Sequence, residues 1–266
     1  MTLAMTAITP QVVVQLADMR LTNIRTGTVV DEATAKLVSY LGRFSFAFTG
    51  PACVNRTPTA EWIATILRQH ADPSEAPLAL ARAADRALAA YEPALKRYAI
   101  VGGGWLSTGR GDRPVYVEIT NWDSALGLLP RSRAEIVELS RGEKVGLFWG
   151  GVPVPDDLRR ETLDLLRRRA RSREARPVDL LATMARAARI VAQTNLTVGR
   201  RDFLVSAIPG SGSEALFRRL SGDRAEGAST VPVIATLGAD AVSPTSLSGP
   251  EAADAGSAPM PAGPCV

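Results

Sequence analysis

The sequence predicts an α+β fold, because antiparallel strand pairs are followed by separate runs of helix. Two apolar, β-rich stretches, 2–9 and 12–17, flank a short break at Pro10 and are expected to pair as a β-hairpin. A second hairpin is expected from 34–41 and 43–49, where aromatic and small residues alternate in the second strand. Together these stretches place most of the early chain in antiparallel sheet.

The remainder of the chain carries helical stripes and shorter strands. Helices are expected over four ranges: 57–70, with Thr57 as N-cap and Pro58 as the first helical residue, 77–95, 156–171 and 177–193. Strands are expected at 98–105, 115–119, 143–149, 202–208 and, as an edge strand, 230–236. Residues 121–142 give no clear pattern, and a short helix is expected after the turn that begins at Pro209.

Composition limits the class of protein. The chain has 266 residues, of which 46% are hydrophobic and 22% charged, enough for one sizeable domain at 1–237. Residues 238–266 are rich in Ala, Gly, Ser and Pro, which predicts a disordered tail. Cys53 and Cys265 are too few for a disulfide framework, which favours a reducing compartment and a cytoplasmic protein. No apolar run is long enough to predict a membrane span, and no signal peptide is predicted.

Polar residues in the first fifty positions are regularly spaced. Asp18 lies sixteen residues after Thr2, Arg20 shares a strand face with Asp18 if the chain is extended there, and Gly50 lies fourteen residues after Lys36. This pattern resembles the amino-terminal half of a proteasome β-subunit, and more broadly the N-terminal-nucleophile (Ntn) hydrolases of proteasome type. The resemblance is good over residues 2–50, looser to about 207, and indicates a divergent bacterial-type member.

The resemblance implies a fold and a chemistry. The fold would be a four-layer αββα sandwich of two antiparallel sheets with outer helices. Thr2 would be the nucleophile and its α-amine, with a pKa of roughly 7.7–8.0, the base. Lys36 would keep that amine neutral, Asp18 would orient Lys36, Arg20 would support Asp18, and the N–H of Gly50 would hold the oxyanion.

The resemblance also implies the partners of the protein. The substrate would be a peptide or a small amide, no cofactor or metal would be needed, and a homo-oligomer is expected because the family builds rings. Met1 must first be removed to free the amine of Thr2, and threonine is small enough for ordinary methionine removal. Thr6, after Met5, offers a second start, but Asp18 would follow it by only twelve residues, which favours Thr2.

The supporting residues depart from the family pattern. If Gly199 matches the glycine of the family's Arg-Asp-x-x-Ser-Gly run, Asn195 stands where the aspartate belongs and Val198 where the serine belongs. The serine expected near Gly150-Gly151 is missing as well. These changes leave an alternative open, in which the protein is a catalytically weak or inactive proteasome-like scaffold or assembly protein.

Three other features of the sequence give weaker evidence of function. The arginine-rich run 167–176 has flanking acids and no interleaved aromatic residues, so it predicts a solvated helix face rather than a nucleic-acid site. His70 is the only histidine in the chain, which argues against a metal cluster. The glycines at 102–104 lack the Gly-Lys-Ser/Thr of a phosphate loop and favour a close strand approach or a turn.

Overall fold

The structure is a computed structural model that describes residues 2–23, 25–70, 72–109, 111–171, 176–210 and 215–221. Its elements are, in chain order, β1 (Leu3–Ile8), β2 (Val12–Asp18), β3 (Leu21–Thr22), β4 (Val29–Asp31), β5 (Leu37–Tyr40), β6 (Phe44–Thr49), β7 (Cys53–Val54), β8 (Thr57–Pro58), α1 (Thr59–Leu67), α2 (Ala76–Ala87), α3 (Pro93–Lys96), β9 (Ala99–Thr108), β10 (Gly111–Asp123), β11 (Gly127–Glu138), β12 (Gly146–Gly151), α4 (Asp156–Ala170), α5 (Pro177–Thr194), β13 (Asp202–Pro209) and β14 (Leu216–Ser221). No helix in these ranges is both long and apolar enough to cross a membrane.

Ten of the strands form two antiparallel sheets. Sheet I has the order β12-β1-β2-β13-β14, and sheet II has the order β11-β10-β9-β6-β5. Both predicted hairpins of the first fifty residues are confirmed: β1 pairs with β2 in sheet I, and β5 pairs with β6 in sheet II. Gly42 forms the second turn with a φ of 63°, a left-handed conformation that glycine adopts without strain. The class is therefore α+β.

Alternating side chains in the strands place large apolar clusters on both faces of each of these two sheets. Ala4 and Val13 of sheet I pack with Val101 and Trp105 of sheet II, so these sheet faces contact each other. The opposite face of sheet I packs against α4 and α5, for example through Leu16. The opposite face of sheet II carries the three phenylalanines of β6, as the alternation predicts, and packs against α1 and α2.

The glycine run at 102–104 lies inside β9 and does not end it. The sequence predicted a strand at 98–105, and β9 continues past that range to Thr108. A Cβ at Gly102 would lie 2.5 Å from a ring carbon of Phe46, and one at Gly103 would lie 2.6 Å from Cγ2 of Thr6. The run therefore allows close packing within sheet II and between the two sheets, as the close-approach interpretation expected.

Two helix boundaries predicted from the sequence are wrong. The helix expected to begin after Thr57 begins at Thr59, because Thr57 and Pro58 pair with Cys53–Val54 as a small sheet. The helix expected over 77–95 ends at Ala87, and a short separate helix begins at Pro93. Proline lacks the N–H that would continue a helix and its ring clashes with the preceding turn, so one unbroken helix could not run through Pro93.

Two further segments also differ from expectation. The unassigned residues 121–142 include β11, a long edge strand of sheet II. The short helix expected after Pro209 is wrong, because Leu216–Ser221 forms β14 and pairs with β13. The spacing of the apolar residues in this segment fits a helix as well as a strand. Pairing with β13 supplies backbone hydrogen-bond partners that an isolated turn of helix lacks. An ion pair of 2.6 Å between Arg219 and Asp202 joins the two strands.

Some expectations fall on residues beyond the described ranges. The edge strand at 230–236 and the tail at 238–266 lie there, so the division into a domain and a tail stays a prediction. Cys53 is disulfide-bonded. The cytoplasmic location inferred from the number of cysteines stays a prediction.

Candidate active site

The carboxylate of Asp18 is the centre of the candidate site. Asp18 ends β2, is fully buried, and accepts hydrogen bonds on both oxygens. Oδ2 accepts from the backbone N–H of Leu3 at 2.6 Å, while Oδ1 accepts from Lys36 Nζ at 3.0 Å and from the backbone N–H of Arg20 at 2.9 Å. Three donors, one of them charged, compensate the burial of this carboxylate. We call Asp18, Lys36 and the N–H groups of Leu3 and Arg20 the Asp18 cluster.

Lys36 lies one residue before β5 and is buried with Asp18. Its side chain is 3% exposed, and Nζ also donates to the backbone carbonyl oxygen of Arg20. Burial lowers the pKa of Lys36 below its ordinary value, and the neighbouring carboxylate of Asp18 opposes that change. The ammonium group is thus held in place by one carboxylate and one carbonyl.

Thr2 is held between the two sheets at the start of β1. Its residue exposure is 5%. Its backbone nitrogen donates to Oγ1 of Thr49 at 3.3 Å, and its carbonyl oxygen accepts from the N–H of Val152 at 3.2 Å. Gly151, with a φ of 93°, approaches so closely that a Cβ there would overlap the carbonyl oxygen of Thr2. Because Leu3 donates to Asp18, Thr2 directly adjoins the Asp18 cluster.

Arg20 lies in the site but differs from the expected arrangement. β2 ends at Asp18, so Arg20 does not continue the same strand face. Its guanidinium donates to the carbonyl oxygen of Leu196 at 2.7 Å and pairs with Glu32 at 2.7 Å. Arg20 contacts Asp18 through its backbone N–H, and its side chain joins this segment to the 195–199 loop.

Gly50 follows β6 next to Thr49. It has a φ of 129°, and a Cβ there would lie 2.8 Å from Cβ of Tyr98 and 2.9 Å from the carbonyl oxygen of Arg97. Both the conformation and the packing therefore require glycine. Gly50 directly follows Thr49, whose hydroxyl accepts a hydrogen bond from the backbone nitrogen of Thr2.

The 195–199 loop reaches the site without directing its polar side chain towards Thr2. Oδ1 of Asn195 accepts hydrogen bonds from the N–H and the hydroxyl of Thr197, at 3.0 and 2.6 Å. Val198 is fully buried, and Gly199 packs against Arg20, with a built Cβ at 3.4 Å from Cβ of that residue. Asn195 thus closes its own turn, in the manner common for Asn side chains in loops.

The alternative start at Thr6 fits the structure less well than Thr2. Thr6 lies in the middle of β1, is fully buried, and accepts a hydrogen bond from Gln15 Nε2 at 3.1 Å. A chain beginning there would lose the first half of a strand that pairs on both sides. The sequence pattern assigns no separate role to the hydroxyl of Thr49. Its position directly before Gly50, at the end of an alternating strand, was the signal available.

Other candidate positions are separate from this site. A cavity of about 300 Å³ opens beside β12 and α4, where Tyr116, Phe148 and Arg159 are among its lining residues, and none of the predicted site residues lines it. His70 follows α1, and its carbonyl oxygen accepts from the hydroxyl of Tyr40 at 2.6 Å. Within the described ranges no group of three or more His, Cys, Asp or Glu residues is placed to hold a metal ion.

Comparison with known proteins supports the fold. No family model matches the sequence, and no curated protein matches it. A solved structure of Anbu, the Gly-1 mutant from Hyphomicrobium sp. strain MC1, superposes with a TM-score of 0.53 at 16% sequence identity. The match covers 84% of this chain and 88% of that chain. The chain is similar in fold to Anbu.

Anbu is a bacterial proteasome-like protein of Ntn-hydrolase type. At 16% identity the likeness concerns the fold alone. In this fold β1 lies between β12 and β2, so the first residues of the chain are held by hydrogen bonds on both sides. The amino-terminal segment therefore has a defined position next to the Asp18 cluster.

Proposed function

We propose that this protein is a proteasome-like threonine Ntn hydrolase, which cleaves an amide or peptide bond with Thr2 after Met1 has been removed. The observation that carries the proposal is the Asp18 carboxylate, which binds both the backbone next to Thr2 and the ammonium group of Lys36. The buried carboxylate of Asp18 thereby holds both the chain segment that carries Thr2 and the side chain of Lys36, which is proposed to keep the amine of Thr2 neutral. Buried charge of this kind is common at functional sites.

The proposed reaction proceeds by acyl transfer. Oγ1 of Thr2 attacks the substrate carbonyl carbon while its proton passes to the α-amine of the same residue. The N–H of Gly50 stabilises the negative charge on the carbonyl oxygen. The C–N bond then breaks, the leaving amine takes the proton from the α-ammonium group, and water hydrolyses the remaining ester to regenerate Thr2.

The charge of Lys36 has a defined purpose in this reaction. A nearby cation disfavours protonation of the α-amine, so more of that amine is neutral and able to act as a base near neutral pH. Asp18 and the carbonyl oxygen of Arg20 hold the ammonium group in one position. The side chain of Arg20 contributes by joining this segment to the 195–199 loop.

The fold proposed for the whole domain is the four-layer αββα sandwich. It is supported by contact between the inner faces of the two sheets and by helices packed on each outer face. We further propose residues 1–237 as the domain, 238–266 as a tail, assembly into a homo-oligomer, and a cytoplasmic location. Light scattering on the purified full chain tests the assembly.

A second candidate function is a proteasome-like scaffold or assembly protein with weak or no catalysis. It is favoured by Asn195, whose side-chain oxygen is bound within its own loop, and by Val198, which carries no polar side-chain atom. The low exposure of Thr2 also favours it, because a substrate must reach its hydroxyl. The two candidates predict opposite results for a threonine-directed probe.

The test uses the full chain with its amino terminus verified by mass spectrometry. The protein is treated with a peptide vinyl sulfone, an electrophile that reacts with activated hydroxyl groups, and the labelled fraction is followed with time. Thr2→Ala should abolish labelling while the protein stays folded by circular dichroism. Thr26→Ala, in an exposed turn, is the matched control and should label at the wild-type rate. Labelling that survives in Thr2→Ala would contradict the proposal, and an unreactive wild type with a free Thr2 amine would support the scaffold.

A further inference from the structure

The hydroxyl of Thr49 is placed against the nitrogen of Thr2. Thr49 ends β6 in sheet II, whereas Thr2 precedes β1 in sheet I, so the 3.3 Å hydrogen bond between them connects the sheets at the candidate site. Thr49 is half-buried. This contact joins the predicted nucleophile to a residue for which no role has been assigned.

A catalytic α-amine needs such a partner. In its neutral form the amine has two N–H bonds and one lone pair, and only the lone pair can take the proton from Oγ1 of Thr2. Free rotation about the N–Cα bond would direct the lone pair elsewhere for much of the time. An acceptor that holds one N–H bond therefore orients the base, which is the positioning that catalysis requires.

The neighbouring positions do not supply that acceptor. The oxygen of Asn195 accepts from Thr197, and Val198 has no polar side-chain atom. Gly150 and Gly151 have no side chain, and Gly151 cannot carry one because its Cβ would overlap the carbonyl oxygen of Thr2. Among the described residues, the backbone N–H of Thr2, whose nitrogen becomes the α-amine once Met1 is removed, donates to the side chain of Thr49.

The surroundings of Thr49 suit this role. As a β-branched residue in a strand it has few accessible χ1 rotamers, so its hydroxyl holds a defined position. A Cβ built at Gly151 would lie 3.5 Å from Oγ1 of Thr49, so the missing side chain leaves room beside the hydroxyl. Among the described residues this hydroxyl accepts from Thr2 and donates its own proton to no acceptor.

We infer that Thr49 is a positioning residue that orients the α-amine of Thr2 and replaces the polar side chains lost at positions 195 and 198. The inference rests on the proposed function. It adds that the altered supporting residues do not make the site inactive, because the same hydrogen bond comes from the opposite sheet. Thr49 acts through the amine of Thr2 and takes no part in bond formation.

The test compares Thr49→Val, which keeps the shape of the side chain without the hydroxyl, with Thr49→Ser, which keeps the hydroxyl. The rate constant for vinyl sulfone labelling of Thr2 is measured against pH for each full-length protein. Thr49→Val should lower the plateau rate about tenfold, the effect of one lost hydrogen bond in the site, whereas Thr49→Ser should stay within about threefold of wild type.

The pH profile separates positioning from structure. A hydroxyl accepts a stronger hydrogen bond from an ammonium group than from an amine, so it favours the protonated form. Its loss should lower the pKa of the amine and move the rising limb of the profile to lower pH. A merely structural role would lower the plateau and leave the limb in place. Thr49→Ala provides a second hydroxyl-free variant if Thr49→Val does not fold.

Each outcome decides between the two proposals. If wild-type protein with a verified Thr2 terminus is not labelled, the proposed function fails and this inference fails with it. If wild type is labelled and the hydroxyl-free variants match it in plateau and limb, only this inference is overturned. Equal losses in Thr49→Val and Thr49→Ser, with unmoved limbs, would also overturn it. The inference is supported if Thr49→Val lowers the plateau labelling rate and moves the rising limb to lower pH, while Thr49→Ser keeps the wild-type behaviour.

Discussion

The Asp18 cluster and the 195–199 loop lie side by side but use their polar groups differently. In the cluster, Asp18 accepts hydrogen bonds from three places in the chain. The donors are the N–H of Leu3 at the start of β1, the N–H of Arg20, and Nζ of Lys36 just before β5. In the loop, the oxygen of Asn195 is bound by Thr197, two residues away. The first arrangement depends on the tertiary fold, and the second would form in a short stretch of chain.

This difference indicates where function is concentrated. Burying a charged pair costs free energy that its mutual attraction often does not recover, so such pairs are weak evidence for stability alone. Lys36 and Asp18 are both almost fully buried, whereas the loop includes the exposed Leu196 and the half-buried Thr197. The cluster is therefore the part of the site expected to respond most strongly to substitution.

The largest effect is expected from Lys36→Met. Methionine fills a similar volume but leaves Asp18 as a buried carboxylate without its cation, which should cost about 3–5 kcal/mol in the free energy of unfolding. Urea denaturation measures the loss, and probe labelling of Thr2 should disappear. Lys144→Met is the control, because Lys144 is exposed, and it should change stability by less than about 0.5 kcal/mol. Equal effects at both positions would remove the distinction between the cluster and the surface.

A substitution beside Thr2 should have the next largest effect. Gly151→Ala combines a positive φ with overlap of the Thr2 carbonyl oxygen and should destabilise the fold by about 3 kcal/mol. Gly27→Ala shares the positive φ, but no atom lies within 4 Å of the built Cβ, so about 1 kcal/mol is expected. Thermal and urea unfolding of the two variants give the comparison. A Gly151→Ala protein as stable as Gly27→Ala would show that the amino-terminal segment does not occupy this position.

The pH dependence of stability should report on Lys36. Because burial lowers its pKa in the folded state, the unfolded chain binds more protons in the range below the ordinary value of 10.5, and the free energy of unfolding rises with pH there. Over that range the slope for wild type should exceed the slope for Lys36→Met by up to about 1.4 kcal/mol per pH unit.

The measurement should stop before the tyrosines ionise. Burial raises the pKa of Tyr40 to about 12, so above its ordinary value of 10.0 the unfolded chain loses this proton first and stability falls with pH. Below that limit the two proteins differ mainly at position 36. Parallel slopes would mean that Lys36 titrates alike in the folded and unfolded chains.

The smallest effect is expected from Asn195→Asp, which restores the residue of the family pattern. Aspartate can still accept from both donors of Thr197, so stability should change by less than about 0.5 kcal/mol. Labelling should stay within about threefold of wild type, because the side chain remains bound in its loop. A labelling rate more than about tenfold higher would show that the loop limits catalysis. Asn195→Ala, which loses both hydrogen bonds, is the control for stability and should cost about 1–2 kcal/mol.

The regions predicted well from sequence are those in which one local pattern decides the structure. The hairpins of the first fifty residues follow from strand alternation, and α4 and α5 follow from apolar stripes with clear starts at Asp156 and Pro177. β14 was mistaken for a helix because its apolar residues fit either period, and pairing with β13 decided the outcome. β11 was missed because an exposed edge strand has weak alternation.

The candidate site shows the same division. The resemblance to a proteasome β-subunit brought Thr2, Asp18 and Lys36 into consideration together. In the structure the carboxylate of Asp18 accepts hydrogen bonds from Lys36 and from the N–H of Leu3, the residue after Thr2. The side chain of Arg20 could not be placed, since its direction depends on the distant Leu196 and Glu32. Thr49 was not singled out because its contact with Thr2 joins two sheets across 47 residues of sequence.

The most direct test of the central claim is the mass of the intact protein from a native-type host, followed by peptide mapping after treatment with the vinyl sulfone. We expect a mass that lacks one methionine and a single adduct on the peptide that begins with Thr2. A protein that retains Met1 throughout has no free amine at Thr2 to act as a base. That result, or an adduct on any other residue, would contradict the assignment of Thr2 as the nucleophile.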